Sequence, residues 1–96
     1  MSPQAPLSDA ETAGFQGQIP AVEPLLTEII ATLALAAHAY LSDDPKTLDL
    51  HSAEIASDVA CATFERVKER LRPEERLAIT QMLTETRMAI VRKRGL

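Results

Sequence analysis

Two histidines, one cysteine and a set of closely spaced carboxylates are the residues of this chain with the potential for chemistry. His51, Glu54 and Asp58 fall on one face of a helix, because positions three and four apart are surface neighbours, and such a trio admits a weak metal site. Zinc wants more His or Cys at tight spacing, and Cys61 faces another direction, so neither a metal nor a cofactor is expected. Glu54/Asp58 and Glu65/Glu69 are carboxylate pairs one helical turn apart. Pairs of this kind do acid–base work when their surroundings force them to share a proton. On a solvated helix they are a charged face, which is the reading adopted. Cys61 lies among small residues, Val59-Ala60-Cys61-Ala62, with no organised base beside it, and reads as a small reduced hydrophobe. His38 sits at the edge of an apolar run and reads as a rim residue. Ser42, Ser52 and Ser57 have no positioned base, and no glycine-rich loop is available to cradle phosphate. No catalytic residue is therefore assigned, and the chain is expected not to be an enzyme.

The elements that must position these residues are helices. Aromatics are 3% of the 96 residues and Ala, Leu, Ile and Val supply the apolar share, a mix suited to closely packed helices rather than a β-sandwich. Residues 1–20 carry three prolines and two glycines without an apolar period and read as a flexible N-terminal tail, with 21–96 as a single helical domain. The expected fold is all-α, with three main helices at about 22–41, 49–71 and 73–94, completed by self-association into a helical bundle. Pro24 and Glu23 suit the first turn of the first helix. Ser42-Asp43-Asp44-Pro45 breaks it, and Thr47 or Asp49 can cap the second. In the second helix Ala53, Ala56, Val59, Ala60, Phe64, Val67 and Leu71 form the expected inward stripe. Arg72-Pro73-Glu74-Glu75 restarts the chain as a third helix, which Gly95 can end.

The first helix is apolar almost all round, and such a helix is expected to be buried on most sides. The third carries two opposed stripes, Ile79, Met82, Leu83, Ala89 and Ile90 against Leu77, Thr80, Thr84, Met88 and Val91. One small core uses one of them well, and a chain this short buries little surface by itself. A homo-oligomer, a dimer before other states, is therefore expected. Its interface is expected either on the first helix, through Leu26, Ile30, Leu33, Ala34, Ala37 and Leu41, or on the third, through Leu77, Met88 and Val91, with the first helix ranked ahead for its larger apolar excess. A different protein meeting the same surface is the rival arrangement.

From Ile29 onward the chain resembles a family of short bacterial helical proteins classed as a domain of unknown function. The resemblance rests on an apolar first helix, then Asp49-Leu50 with Ala53, then Leu71-Arg72-Pro73-Glu74-Glu75, and a closing run of Leu83, Arg87-Met88 and Val91. At the second helix the family often has Ile-Asp, where this chain has Val59 after Asp58. The resemblance implies an all-helical bacterial cytoplasmic protein and brings no activity with it.

Charge divides along the chain. Residues 1–65 hold ten acids and one base, and residues 66–96 hold nine bases and four acids, within a net charge of −4. One reading is a basic segment (Arg87, Arg92, Lys93 and Arg94 at its end) that meets nucleic acid or an acidic protein. The other, preferred, is that these bases pair with the acidic faces of the same fold or dimer, since the chain is acidic overall and the segment lacks aromatics for base stacking. The function expected is a non-enzymatic helical interaction or scaffolding protein, with nucleic-acid binding as the alternative. No signal peptide is read, and Glu28 and His38 count against a membrane span at 25–41, so the expected location is cytoplasmic. Removing residues 1–18 should leave the melting temperature within a few degrees, because they offer few apolar contacts. A collapse of the fold in that variant would show that Phe15 and Ile19 dock into the core.

Overall fold

The computed structural model describes residues 19–95. Its architecture is all-α, three helices in the order α1 (Val22–Tyr40), α2 (Leu50–Val67) and α3 (Pro73–Lys93), with a 3-10 turn at Lys68–Arg70 between the last two. The chain runs up, down and up. Glu23 at the start of α1 meets Arg70 after α2, and Asp43 after α1 meets Lys93 at the end of α3.

Local chemistry explains the boundaries. α3 begins with Pro73 at its first position, and the Glu75 carboxylate accepts a hydrogen bond from the Arg72 N–H at 3.1 Å. That contact satisfies a donor the helix start would otherwise leave open. α2 begins under Asp49, whose carboxylate accepts from the Ser52 N–H at 3.0 Å and from its hydroxyl at 2.7 Å. In the α1–α2 connection the Asp44 carboxylate accepts from the Lys46 N–H and the Asp49 N–H returns to the Tyr40 carbonyl. Gly95, at φ +83°, takes the left-handed position that ends α3. The second helix is shorter than the expected 49–71. Its α form stops at Val67, and Leu71 reaches the core from extended backbone after the 3-10 turn.

The core lies in two adjoining parts. One gathers Ile30, Ala60, Phe64, Val67, Leu71, Ile79 and Leu83. The other gathers Ala37, Leu41, Ala53, Ala56 and Ile90. α1 and α2 are the most intimately packed pair, and the buried alanines Ala34 and Ala37 on one and Ala53, Ala56 and Ala60 on the other explain it. Thr86 of α3 is fully buried. Its hydroxyl donates to the Met82 carbonyl at 2.9 Å and lies 3.2 Å from His38 Nε2. The single hydroxyl proton is thus engaged, which assigns the donor role in the second contact to the Nε2–H tautomer of His38.

Three expectations need correction. α1 is not buried on most sides: Ile30, Ala34 and Ala37 are its buried residues, while Val22, Leu25, Ile29, Leu35 and Tyr40 are exposed. Val59, expected on the inward stripe of α2, is 47% exposed, and Ser57 is buried instead. α3 approaches the Ala53–Ala60 side of α2 and leaves the Val59 side open. Finally, Ile30, Ala34, Ala37 and Leu41 are enclosed by their own chain, so these members of the expected oligomer interface are core residues of the protomer. Of the tail, 1–18 lie outside the described residues, and Ile19 is almost fully exposed rather than docked. By length and composition α1 is apolar enough to cross a membrane. In this fold it forms one wall of the core.

Ile30 is completely buried, so Ile30→Ala should cost about 2–5 kcal/mol through lost transfer energy and the cavity left behind. Leu35→Ala, on the open side of α1, should stay within about 0.5 kcal/mol of wild type. Urea unfolding followed by circular dichroism measures both.

Candidate functional site

Residue types at helical spacing place two apolar surfaces outside the core. On α1, Val22, Leu25, Ile29, Ala36 and Tyr40 recur at intervals that keep them on one side. This stripe is displaced from the buried one of Ile30, Ala34 and Ala37. On α2, Ser52, Ile55, Val59 and Ala62 do the same beside the buried stripe. The close α1–α2 packing sets these two stripes side by side. Leu33, Ala36 and Tyr40 of α1 and Ser52, Ile55, Ala56 and Val59 of α2 line one open groove of about 240 Å³. Val22, Leu25, Ile29, Tyr40, Ile55 and Val59 are each between 38% and 50% exposed. No charged side chain lines the groove.

The second surface belongs to α3. Leu77 is 61% and Met88 54% exposed, with Val91 next to Met88 on the same side. Thr84, Arg87, Met88, Val91 and Arg92 line a shallow groove of about 390 Å³. Thr80, Gln81 and Thr84 separate Leu77 from Met88 and Val91, so the apolar surface here is interrupted. Leu77, Met88 and Val91 of the expected interface are thus open to solvent. Leu26 and Leu33 are partly buried against the core from its edge.

The basic residues of the expected contact divide into two pairs. Lys93 donates to the Asp43 carboxylate at 2.7 Å, and Arg94 is joined to Glu54. Arg70 reaches Glu23 at 2.6 Å. The C-terminal bases therefore meet acidic residues of the α1–α2 part of the chain. Arg87 and Arg92 make no ion pair among the described residues. Arg76 turns inward, and its guanidinium donates to the Lys68 carbonyl at 3.2 Å, holding the 3-10 turn against α3.

No chemistry gathers around the remaining candidates. Among the described residues, no three His, Cys, Asp or Glu side chains stand close enough together to hold a metal ion. Glu54 is engaged by Arg94, and His38 contacts Thr86. Cys61 packs at the edge of the core as a free thiol.

The α1–α2 face escaped sequence reasoning because the wide apolar arc of α1 was read as one surface. The signal was present as two interleaved series, 22-25-29-36-40 and 26-30-34-37-41. The placement of α3 decides which series is covered. No family model, curated protein or solved structure matches this chain.

The acidic groups give a pH test. The Lys93 ammonium, hydrogen-bonded to Asp43, holds that carboxyl below its ordinary 3.8. The Ser52 hydroxyl and then its N–H do the same for Asp49. The Arg72 backbone N–H, then its guanidinium, lowers Glu75. A carboxyl whose folded pKa is lowered stabilises the fold at pH values above its unfolded pKa, and that contribution is lost as pH falls through the folded value. Stability should therefore decline below about pH 4.5, where the Glu75 contribution begins to go, and further below about pH 3.8, where those of Asp43 and Asp49 follow. Asp49→Asn keeps a capping oxygen but removes the charge, so its deficit relative to wild type should close as pH drops through this range. Chemical unfolding at a series of pH values measures it, and a deficit that stays constant contradicts the assignment.

Proposed function

We propose that this chain is a small, non-enzymatic helical interaction or scaffolding protein that acts as a homo-oligomer, with a dimer as the first state. The observation that carries this reading is the uncovered apolar surface on α1 and α2. Six large apolar side chains are exposed there, and the groove that three of them, Tyr40, Ile55 and Val59, help to line has no charged side chain. Isolated exposed apolar residues are ordinary, whereas a contiguous set on two adjacent helices is the kind of patch that meets another molecule. The small core points the same way. Much of its α1–α2 contact is alanine, which buries little area per residue.

Nucleic-acid contact through Arg87, Arg92, Lys93 and Arg94 has less to support it. Two of these four bases are already held by carboxylates of the same chain, and net charge is −4. A cytoplasmic setting belongs to the same proposal as the family resemblance, and the free thiol of Cys61 suits it.

Sedimentation velocity at micromolar concentration tests the main reading. The expected result is a species of twice the 10.5 kDa chain mass. A folded monomer throughout the micromolar range would overturn it. Retention on a duplex or single-strand column that falls steeply with salt, and is weakened in Arg87→Glu and Arg92→Glu, would favour nucleic acid instead.

A further inference from the structure

We infer that the α1–α2 face is the contact between two copies of this chain, each laying its own hairpin face on that of the other about a two-fold axis. The inference rests on the self-association proposed above and names its surface.

Three observations select this face and this occupant. The first is area. Val22, Leu25, Ile29, Tyr40, Ile55 and Val59, at the exposures given above, leave on the order of 500 Å² of surface open along the two helices, comparable with the largest patch on a typical monomer. Two such faces in contact remove roughly 1,000 Å² from water, the size at which a specific interface begins, and the rims add to it. The α3 stripe offers three large apolar side chains, interrupted by Thr80, Gln81 and Thr84, and falls short of that size.

The second is charge. An isologous contact sets a surface against its own copy, so every charge near the axis meets its like. The α1–α2 groove contains no charge, and its polar groups are the hydroxyls of Tyr40 and Ser52, which both donate and accept. At this groove a second copy is therefore accommodated without an unpaired ion being buried, and the exposed Arg66, next on the 52-55-59-62 series of α2, falls beyond its lining. On α3, Arg87 and Arg92 border the groove directly and would enter the contact.

The third is shape. Tyr40 of α1 and Ile55 of α2, both exposed, line the groove together with the less exposed small residues Ala36 and Ala56. A groove of small residues between larger ones receives the ridge of another helix. With two hairpins stacked in this way, each α3 lies on the outside and the four inner helices form one continuous core.

The test uses the full-length chain and three variants, Ile29→Glu, Val59→Glu and Met88→Glu. All three positions are exposed, so circular dichroism and the melting of the monomeric state should remain near wild type. Sedimentation velocity and native mass spectrometry should show the dimer weakened roughly 100-fold by Ile29→Glu and by Val59→Glu, as expected for charge in an interface centre. Met88→Glu should leave it unaltered. A wild-type dimer that survives the first two changes but breaks with Met88→Glu overturns the inference and moves the contact to α3, while self-association stands. A wild-type chain that is monomeric overturns both. In that case limited proteolysis identifies the occupant. If Ile29→Glu and Val59→Glu increase cleavage within residues 1–18, the face belongs to the chain's own N-terminal segment. If they do not, it belongs to a different protein.

Discussion

The structure depends on the approach of α1 to α2 across alanines. Ala34 and Ala37 of α1 and Ala53, Ala56 and Ala60 of α2 are all buried, and Ala37, Ala53 and Ala56 share one part of the core. Such an approach leaves no room between the helices for large side chains, so these are displaced to its two flanks. On one flank α3 receives them: Ile30, Phe64 and Val67 meet Ile79 and Leu83. On the other flank Leu25, Ile29, Tyr40, Ile55 and Val59 have no third helix above them. The buried core and the bare face are thus two consequences of one packing choice.

The ionic contacts serve that arrangement. Arg70 with Glu23 ties one end of the hairpin, and Lys93 with Asp43 and Arg94 with Glu54 tie α3 across the other. All three are at the surface, where such pairs contribute modestly and weaken with salt. Their value is in direction. They distinguish the two ends of a thin, alanine-rich core whose apolar contacts alone discriminate poorly between registers. His38 against the buried Thr86 adds a polar reference point between α1 and α3. Three of the nine bases of the second part of the chain are used this way, while Lys68 and Arg72 pair with near neighbours and Arg66, Arg76, Arg87 and Arg92 make no ion pair among the described residues.

Much of the framework was legible in the residues. Pro73 followed by two acids marks the start of α3 and Gly95 its end, and of the two caps open to α2, Thr47 and Asp49, the structure uses Asp49, because each signal acts between near neighbours. The all-α class followed from alanine- and leucine-rich segments with a helical period. Most of the buried stripe of α3 was legible for the same reason, Ile79, Leu83 and Ile90 but not Thr86, and of the four C-terminal bases Lys93 and Arg94 pair within the chain. Legibility failed where two apolar series overlap on one helix. Periodicity locates the faces of α1 but does not rank them, and the ranking depends on where another helix packs.

What the sequence by itself determined is therefore local: three helices and the residues that begin and end them. Caps and turns are set by hydrogen bonds spanning a few residues, and the order of residues contains that information completely. What tertiary structure decided is which apolar side chains are interior. Ile30 and Ile29 are chemically identical neighbours on α1, one fully buried and the other 40% exposed. Nothing in the local sequence separates them. The difference comes from α2 and α3, which close over one side of the α1–α2 seam and not the other.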